Sequence, residues 1–126
     1  MNTDNLLTRT RKFALDIINL IEALPRDNTS RVIARQLVRC GTSVGANYRA
    51  ACRSNSRPDF VSKMGTVEEE ADESVYWMQL LVDSEKIRPE KISILINETN
   101  ELVAMTVASI QTARKAVRTS NSALRT

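Results

Sequence analysis

The side chains in this sequence that could carry chemistry are arginines and carboxylates, and each type is gathered in one stretch. Between Arg31 and Arg57 the chain reads RVIARQLVRCGTSVGANYRAACRSNSR. On a helix, Arg31, Arg35, Arg39, Arg49 and Arg53 fall within an arc of about 80° and along a length of about 33 Å. Only Thr42 and Ala46 interrupt the row, and Arg57 extends it. Guanidinium groups aligned in this way can follow the phosphate backbone of RNA or DNA. The opposing cluster is Glu68-Glu69-Glu70-Ala71-Asp72-Glu73. Carboxylates four apart on a helix repel one another by roughly a few tenths of a kcal/mol, so this run calls for cations nearby. The arginine row is therefore either a free polyanion-binding surface or one side of an ion-pair seam.

Other chemistries find little support. The chain has no histidine, which removes Ser-His-Asp and Cys-His nucleophile pairs and the Glu-x-x-His ligands of di-iron bundles. Glu70-x-x-Glu73 and Glu98-x-x-Glu101 are the residues from which an all-carboxylate metal site could be built. Glu98 and Glu101 lie off the expected core face, however, so neither a metal nor any other cofactor is expected. No phosphate-binding glycine loop, dinucleotide fingerprint or zinc spacing occurs. Cys40 and Cys52 lie about 18 Å apart along one helix and cannot bridge; Cys40 reads as a small buried hydrophobe. Asn47 is the informative polar residue. It falls in the core arc, where an unpaired amide costs about 1–3 kcal/mol, so it should have a partner that fixes helix register, a carboxylate of the acidic run being the candidate.

Four helices must position these residues. Leu6, Phe13, Ile17, Leu20 and Leu24 recur at helical spacing, giving a first helix over about Thr3–Leu24 that stops at Pro25. Asn28 or Thr29 then offers a cap for a second helix to about Arg53. Its core face is Ile33, Leu37, Cys40, Val44, Asn47, Tyr48 and Ala51, flanked by Ala34, Gly41, Gly45 and Cys52. Glycine inside a helix costs about 1 kcal/mol relative to alanine, so two of them four apart point to close helix approach. Pro58 and Pro89 suit first-turn positions of a third helix and of a fourth running to about Arg118. In the third, Tyr76, Trp77, Leu80 and Leu81 carry apolar surface round to the side opposite the core face, which suggests a subunit interface. The fold class is therefore all-α, an antiparallel up-down-up-down four-helix bundle over residues 1–118, with a disordered polar tail over residues 119–126.

Charge is segregated along the chain. Residues 1–57 carry a net +6, residues 58–90 a net −6 and residues 91–126 a net +3. The basic half can attract polyanions, and the acidic helix beside it can absorb much of that field. With no signal peptide and no apolar run of membrane-spanning length, the expected location is the cytoplasm.

The run QLVRCGTSVGANYRAACRSNSRPDF (Gln36 to Phe60), with Lys63 and EEEADESVYWMQLL (Glu68 to Leu81), resembles the 23S ribosomal RNA intervening-sequence protein family. Accessory proteins of diversity-generating retroelements look like more distant relatives. Thr42-Ser43, Gly45-Ala46-Asn47, Arg49 and Tyr76-Trp77 carry the resemblance, which covers about residues 8–116. It implies a four-helix bundle assembled into a homopentamer, with no enzymatic activity. It also implies RNA or DNA binding, from the family's link to ribosomal RNA genes and the retroelement relatives' nucleic-acid and reverse-transcriptase binding. Ala50-Ala51 stand after Arg49, where a glutamate is expected to be common among relatives.

Two functions are carried forward. The first is a non-catalytic oligomer binding RNA or DNA backbone through Arg31, Arg35, Arg39, Arg49 and Arg53, with Arg9, Arg11 and Lys12 as candidates to join them, and with Tyr76, Trp77 and Leu80 at the subunit interface. The second is a protein-interaction adaptor that uses the Tyr76–Leu81 patch.

Overall fold

The structure, a computed structural model, describes residues 3–124. They form four helices: α1 (Thr3–Glu22), α2 (Asn28–Cys52), α3 (Arg57–Asp83) and α4 (Pro89–Leu124). No strand occurs among the described residues. The helices form a bundle in which α2 packs on α1 and α3, and α3 packs on α4. The α1–α4 seam is much the thinnest.

Helix ends depart from expectation for identifiable reasons. α1 stops at Glu22, because the Ala23 and Leu24 N–H groups donate to Leu20 and Ile21 in a tighter last turn ahead of Pro25. The cap of α2 is Asp27, not Asn28 or Thr29. Its Oδ1 accepts the Ser30 N–H at 2.8 Å, and Lys86 Nζ lies 3.3 Å from its Oδ2. A charged carboxylate at this end satisfies an orphan donor and complements the helix dipole at once. The Ser30 N–H, with help from Lys86, holds the Asp27 carboxyl below its ordinary pKa.

Ser56 caps α3 by accepting the Asp59 N–H at 3.2 Å, and Pro58 sits in the first turn. At the other end Lys86 N–H donates to the Leu81 carbonyl (2.9 Å) and Glu85 N–H to that of Val82 (3.0 Å). This Schellman arrangement holds Glu85 at φ +60°, where glycine is usual. α4 continues to Leu124, so the expected boundary at Arg118 lies inside the helix. No glycine or proline falls between Thr119 and Leu124 to break it. The remainder of the expected tail, residues 125 and 126, lies outside the described residues.

The core joins Phe13 and Ile17 of α1, Leu37, Cys40 and Val44 of α2, Met64, Met78 and Leu81 of α3, and Ile92 and Leu102 of α4, all at most 1% exposed. Leu81 is thus a core residue and does not belong to the outer patch to which its spacing assigned it. Ser74 is also fully buried. Its hydroxyl lies 2.9 Å from the Glu70 carbonyl and 3.2 Å from Cys40 Sγ.

The two glycines of α2 face α1. A Cβ on Gly41 would lie 3.0 Å from Ile17 Cγ1, and one on Gly45 would lie 3.2 Å from Thr10 Oγ1. Close helix approach is therefore what they permit, as their spacing suggested.

Candidate nucleic-acid interface

The arginine row divides into three groups. Arg31 folds back on its own helix start, with Nε 3.4 Å from the Asp27 carbonyl and Nη2 3.3 Å from Asn28 Oδ1. Arg39 crosses to α3, where it pairs with Glu70 at 3.2 Å and with Glu73. Glu73 also accepts the Trp77 indole N–H at 2.9 Å. The acidic run therefore claims one arginine of the row and ties it to an aromatic anchor. Arg35, Arg49 and Arg53 are exposed, and none of them has an ion pair among the described residues. The ion-pair seam thus takes Arg39 alone of the row, and Arg35, Arg49 and Arg53 stand outside it.

The basic residues of α1 separate in the same way. Arg9 turns toward α4, with Nε donating to Glu98 at 3.1 Å and Nη2 3.4 Å from Glu101. Its bond to Glu98 holds its proton more tightly than usual. Lys12 pairs with Asp16 at 2.7 Å, which likewise raises its pKa. Arg11 is exposed, has no ion pair among the described residues and faces α2. Only Arg11 of the three can join the free arginines. The periodicity of either helix alone could not select it, because the juxtaposition arises across two helices.

Between α1 and α2 lies an open cleft of about 480 Å³. Leu7, Ala14, Gly45 and Ala46 make its lining largely apolar, Thr10 and Thr42 add two hydroxyls, and the exposed Arg11, Arg49 and Arg53 border it. No acidic residue lines it. The small side chains that let the helices approach leave this volume above them.

The remaining candidates are placed as follows. Tyr76 is 55% exposed, and its ring meets Trp77 edge-on with centroids 5.1 Å apart. Trp77 and Leu80 are half-buried and pack against the chain's own core, so the outward apolar surface here centres on Tyr76. Ile94 of α4 is 81% exposed. Asn47 is half-buried and donates Nδ2 to the Ser43 carbonyl of its own helix at 2.9 Å, instead of bonding a carboxylate of α3. A helix carbonyl keeps a second lone pair, so an amide one turn on is satisfied locally without a cross-helix partner. Burial pushes the Cys40 thiol pKa up, whereas Cys52 is exposed at the cleft.

Among the described residues no group of three or more His, Cys, Asp or Glu could hold a metal ion. The two carboxylate pairs go to different arginines, Glu70 and Glu73 to Arg39, and Glu98 and Glu101 to Arg9. No helix among the described residues is long and apolar enough to cross a membrane.

Comparison with known proteins agrees with this architecture. A solved structure from Bacteroides thetaiotaomicron, a protein with unknown function from the S23 ribosomal protein family, superposes with a TM-score of 0.82. It is 32% identical, over 88% of this chain and 99% of that one. No curated protein matches. The family model described as 23S rRNA-intervening sequence protein matches residues 4–108. The chain belongs to the 23S rRNA-intervening sequence protein family.

Proposed function

We propose that this protein is a non-catalytic, cytoplasmic homo-oligomer that binds the backbone of RNA or DNA through the outer face of α2. The observation that carries this is the set of exposed arginines without ion pairs, Arg35, Arg49 and Arg53, with Arg11 beside them. Arg35 and Arg53 are separated by about 27 Å of helix rise, a span suited to several successive phosphates. Arg31 and Arg39 are bonded within the fold and act mainly in its support. Assembly, pentameric by the family resemblance, would repeat the basic face and add avidity that a single subunit lacks. Exposed Tyr76 and Ile94, like Leu15, Ile18 and Val32, are apolar residues such an assembly could cover. The same Tyr76 patch is what favours the second reading, a protein-interaction adaptor.

Fluorescence anisotropy with structured RNA and duplex DNA, at about 50 and 200 mM salt, tests the proposal. Binding should weaken steeply with salt, and each arginine removed should lower the salt slope by about 1. Arg35→Glu/Arg53→Glu should abolish binding, whereas Arg39→Gln should chiefly lower the melting temperature. Absence of binding at low salt, or binding unchanged in the double variant, would refute it.

A further inference from the structure

We infer that the α1–α2 cleft receives a nucleobase of a single-stranded nucleic acid, so that the basic face selects single strands over duplex. This deepens the backbone-binding reading above and rests on it. Three features of the cleft point the same way. Its volume, about 480 Å³, lies within the range of small-ligand sites, roughly 300–1,000 Å³, so a flat ring system fits in it. Its lining is largely apolar, with Leu7, Ala14, Gly45 and Ala46 beside Thr10 and Thr42, whose hydroxyls are spent on helix carbonyls, and this suits a base face better than a bare phosphate. Its edges carry Arg11, Arg49 and Arg53 with no acid among the lining residues. Guanidinium planes both stack on bases and pair with the phosphates either side of them.

Continuity favours a strand over a small anionic ligand. Arg35 continues the same free row about 21 Å beyond Arg49 along α2, so the ligand that matches the surface carries anions at repeated intervals. A duplex would present phosphates to the row while its stacked bases left the cleft empty. A single strand can turn one base out at little cost. The two hydroxyls of the lining, on Thr10 and Thr42, are spent on carbonyls of their own helices, so base recognition should be sequence-tolerant.

The experiment uses the full chain and a fluorescein-labelled single-stranded oligoribonucleotide of mixed sequence, the same-length abasic strand, and the corresponding duplex. The base-bearing strand should bind about tenfold more tightly than the abasic strand, the effect of covering roughly 55 Å² of apolar surface at about 25 cal/mol per Å². Thr42→Leu/Ala46→Leu, which fills the cleft from exposed or half-buried positions, should bring it down to the abasic level. In the wild-type chain the base-bearing strand should protect Cys52 from N-ethylmaleimide, and saturating duplex should not. This readout, like the wild-type strand comparison, stands even if the double variant misfolds. Equal affinity for base-bearing and abasic strands would overturn the inference while leaving the backbone reading intact. So would tighter binding of duplex, or displacement of the strand by polyglutamate at equal charge. Failure to bind any nucleic acid overturns both.

Discussion

The three glycines of this chain sit in helix interiors under different constraints, so the same substitution should have opposite signs. Replacing helical glycine with alanine gains about 1 kcal/mol in propensity. At Gly65 of α3 an added Cβ meets nothing within 4 Å, so Gly65→Ala should stabilise by about that amount. At Gly41 the Cβ would lie 3.0 Å from Ile17 Cγ1 and 3.1 Å from Cγ2. Ile17 is fully buried and, being β-branched on a helix, has essentially one rotamer, so it cannot swing aside. Overpacking costs about 1–3 kcal/mol, which offsets the propensity gain and leaves Gly41→Ala destabilised by up to about 2 kcal/mol. The difference between the two variants isolates the packing cost. For a domain of this size it corresponds to roughly 3–5 °C of melting temperature per kcal/mol. Gly45→Ala, facing Thr10 Oγ1 at 3.2 Å, should fall between them. Thermal and urea melts followed by circular dichroism measure this, at one protein concentration because assembly would make the transition concentration-dependent. A Gly41→Ala variant melting at or above Gly65→Ala would refute the claim that these helices touch at the α2 glycines.

Two further outcomes concern the helix ends. The folded-state pKa of Asp27 is lowered, so its charge stabilises the fold above the ordinary carboxylate range and ceases to do so as pH falls through the folded value. The melting-temperature deficit of Asp27→Asn should therefore be full at pH 6 and shrink below about pH 4; a deficit that stays constant down to pH 2 would assign it to geometry instead of charge. Glu85 holds a left-handed conformation at φ +60°, so Glu85→Gly should raise stability by about 0.5–1 kcal/mol, and a lower urea midpoint would contradict that account.

The bundle was legible because its periodicity is strong. Ile33, Leu37, Cys40 and Val44 repeat at helical spacing and are buried, and prolines at 58 and 89 mark the helix starts. Element boundaries were less legible where two side chains compete for one role. Asp27, Asn28 and Thr29 can all cap a helix, and the one that does, Asp27, also meets Lys86, which arrives from the α3–α4 loop. Asn47 shows the same limit. Its spacing placed it facing the core, yet the nearest satisfying acceptor is the Ser43 carbonyl one turn back. Leu81 was assigned to the outer patch of α3 from its neighbours Tyr76, Trp77 and Leu80. Its burial follows from the position of α3 between α2 and α4, which no single-helix pattern contains.

By itself the sequence determined the helices, their apolar faces, the glycine contact and the presence of a basic row facing away from the core. These are set by local periodicity and by the cost of glycine in a helix. Only the tertiary structure decided which charges are free. Arg35 and Arg39 are one turn apart in the row, but Glu70 and Glu73 reach only Arg39. Likewise Arg9 and Arg11 are two positions apart on α1, and α4 takes the first while the cleft on α2 receives the second. The physical reason is range. An apolar face is fixed within one helix, whereas an ion pair between helices exists only where the fold brings opposite charges within about 4 Å.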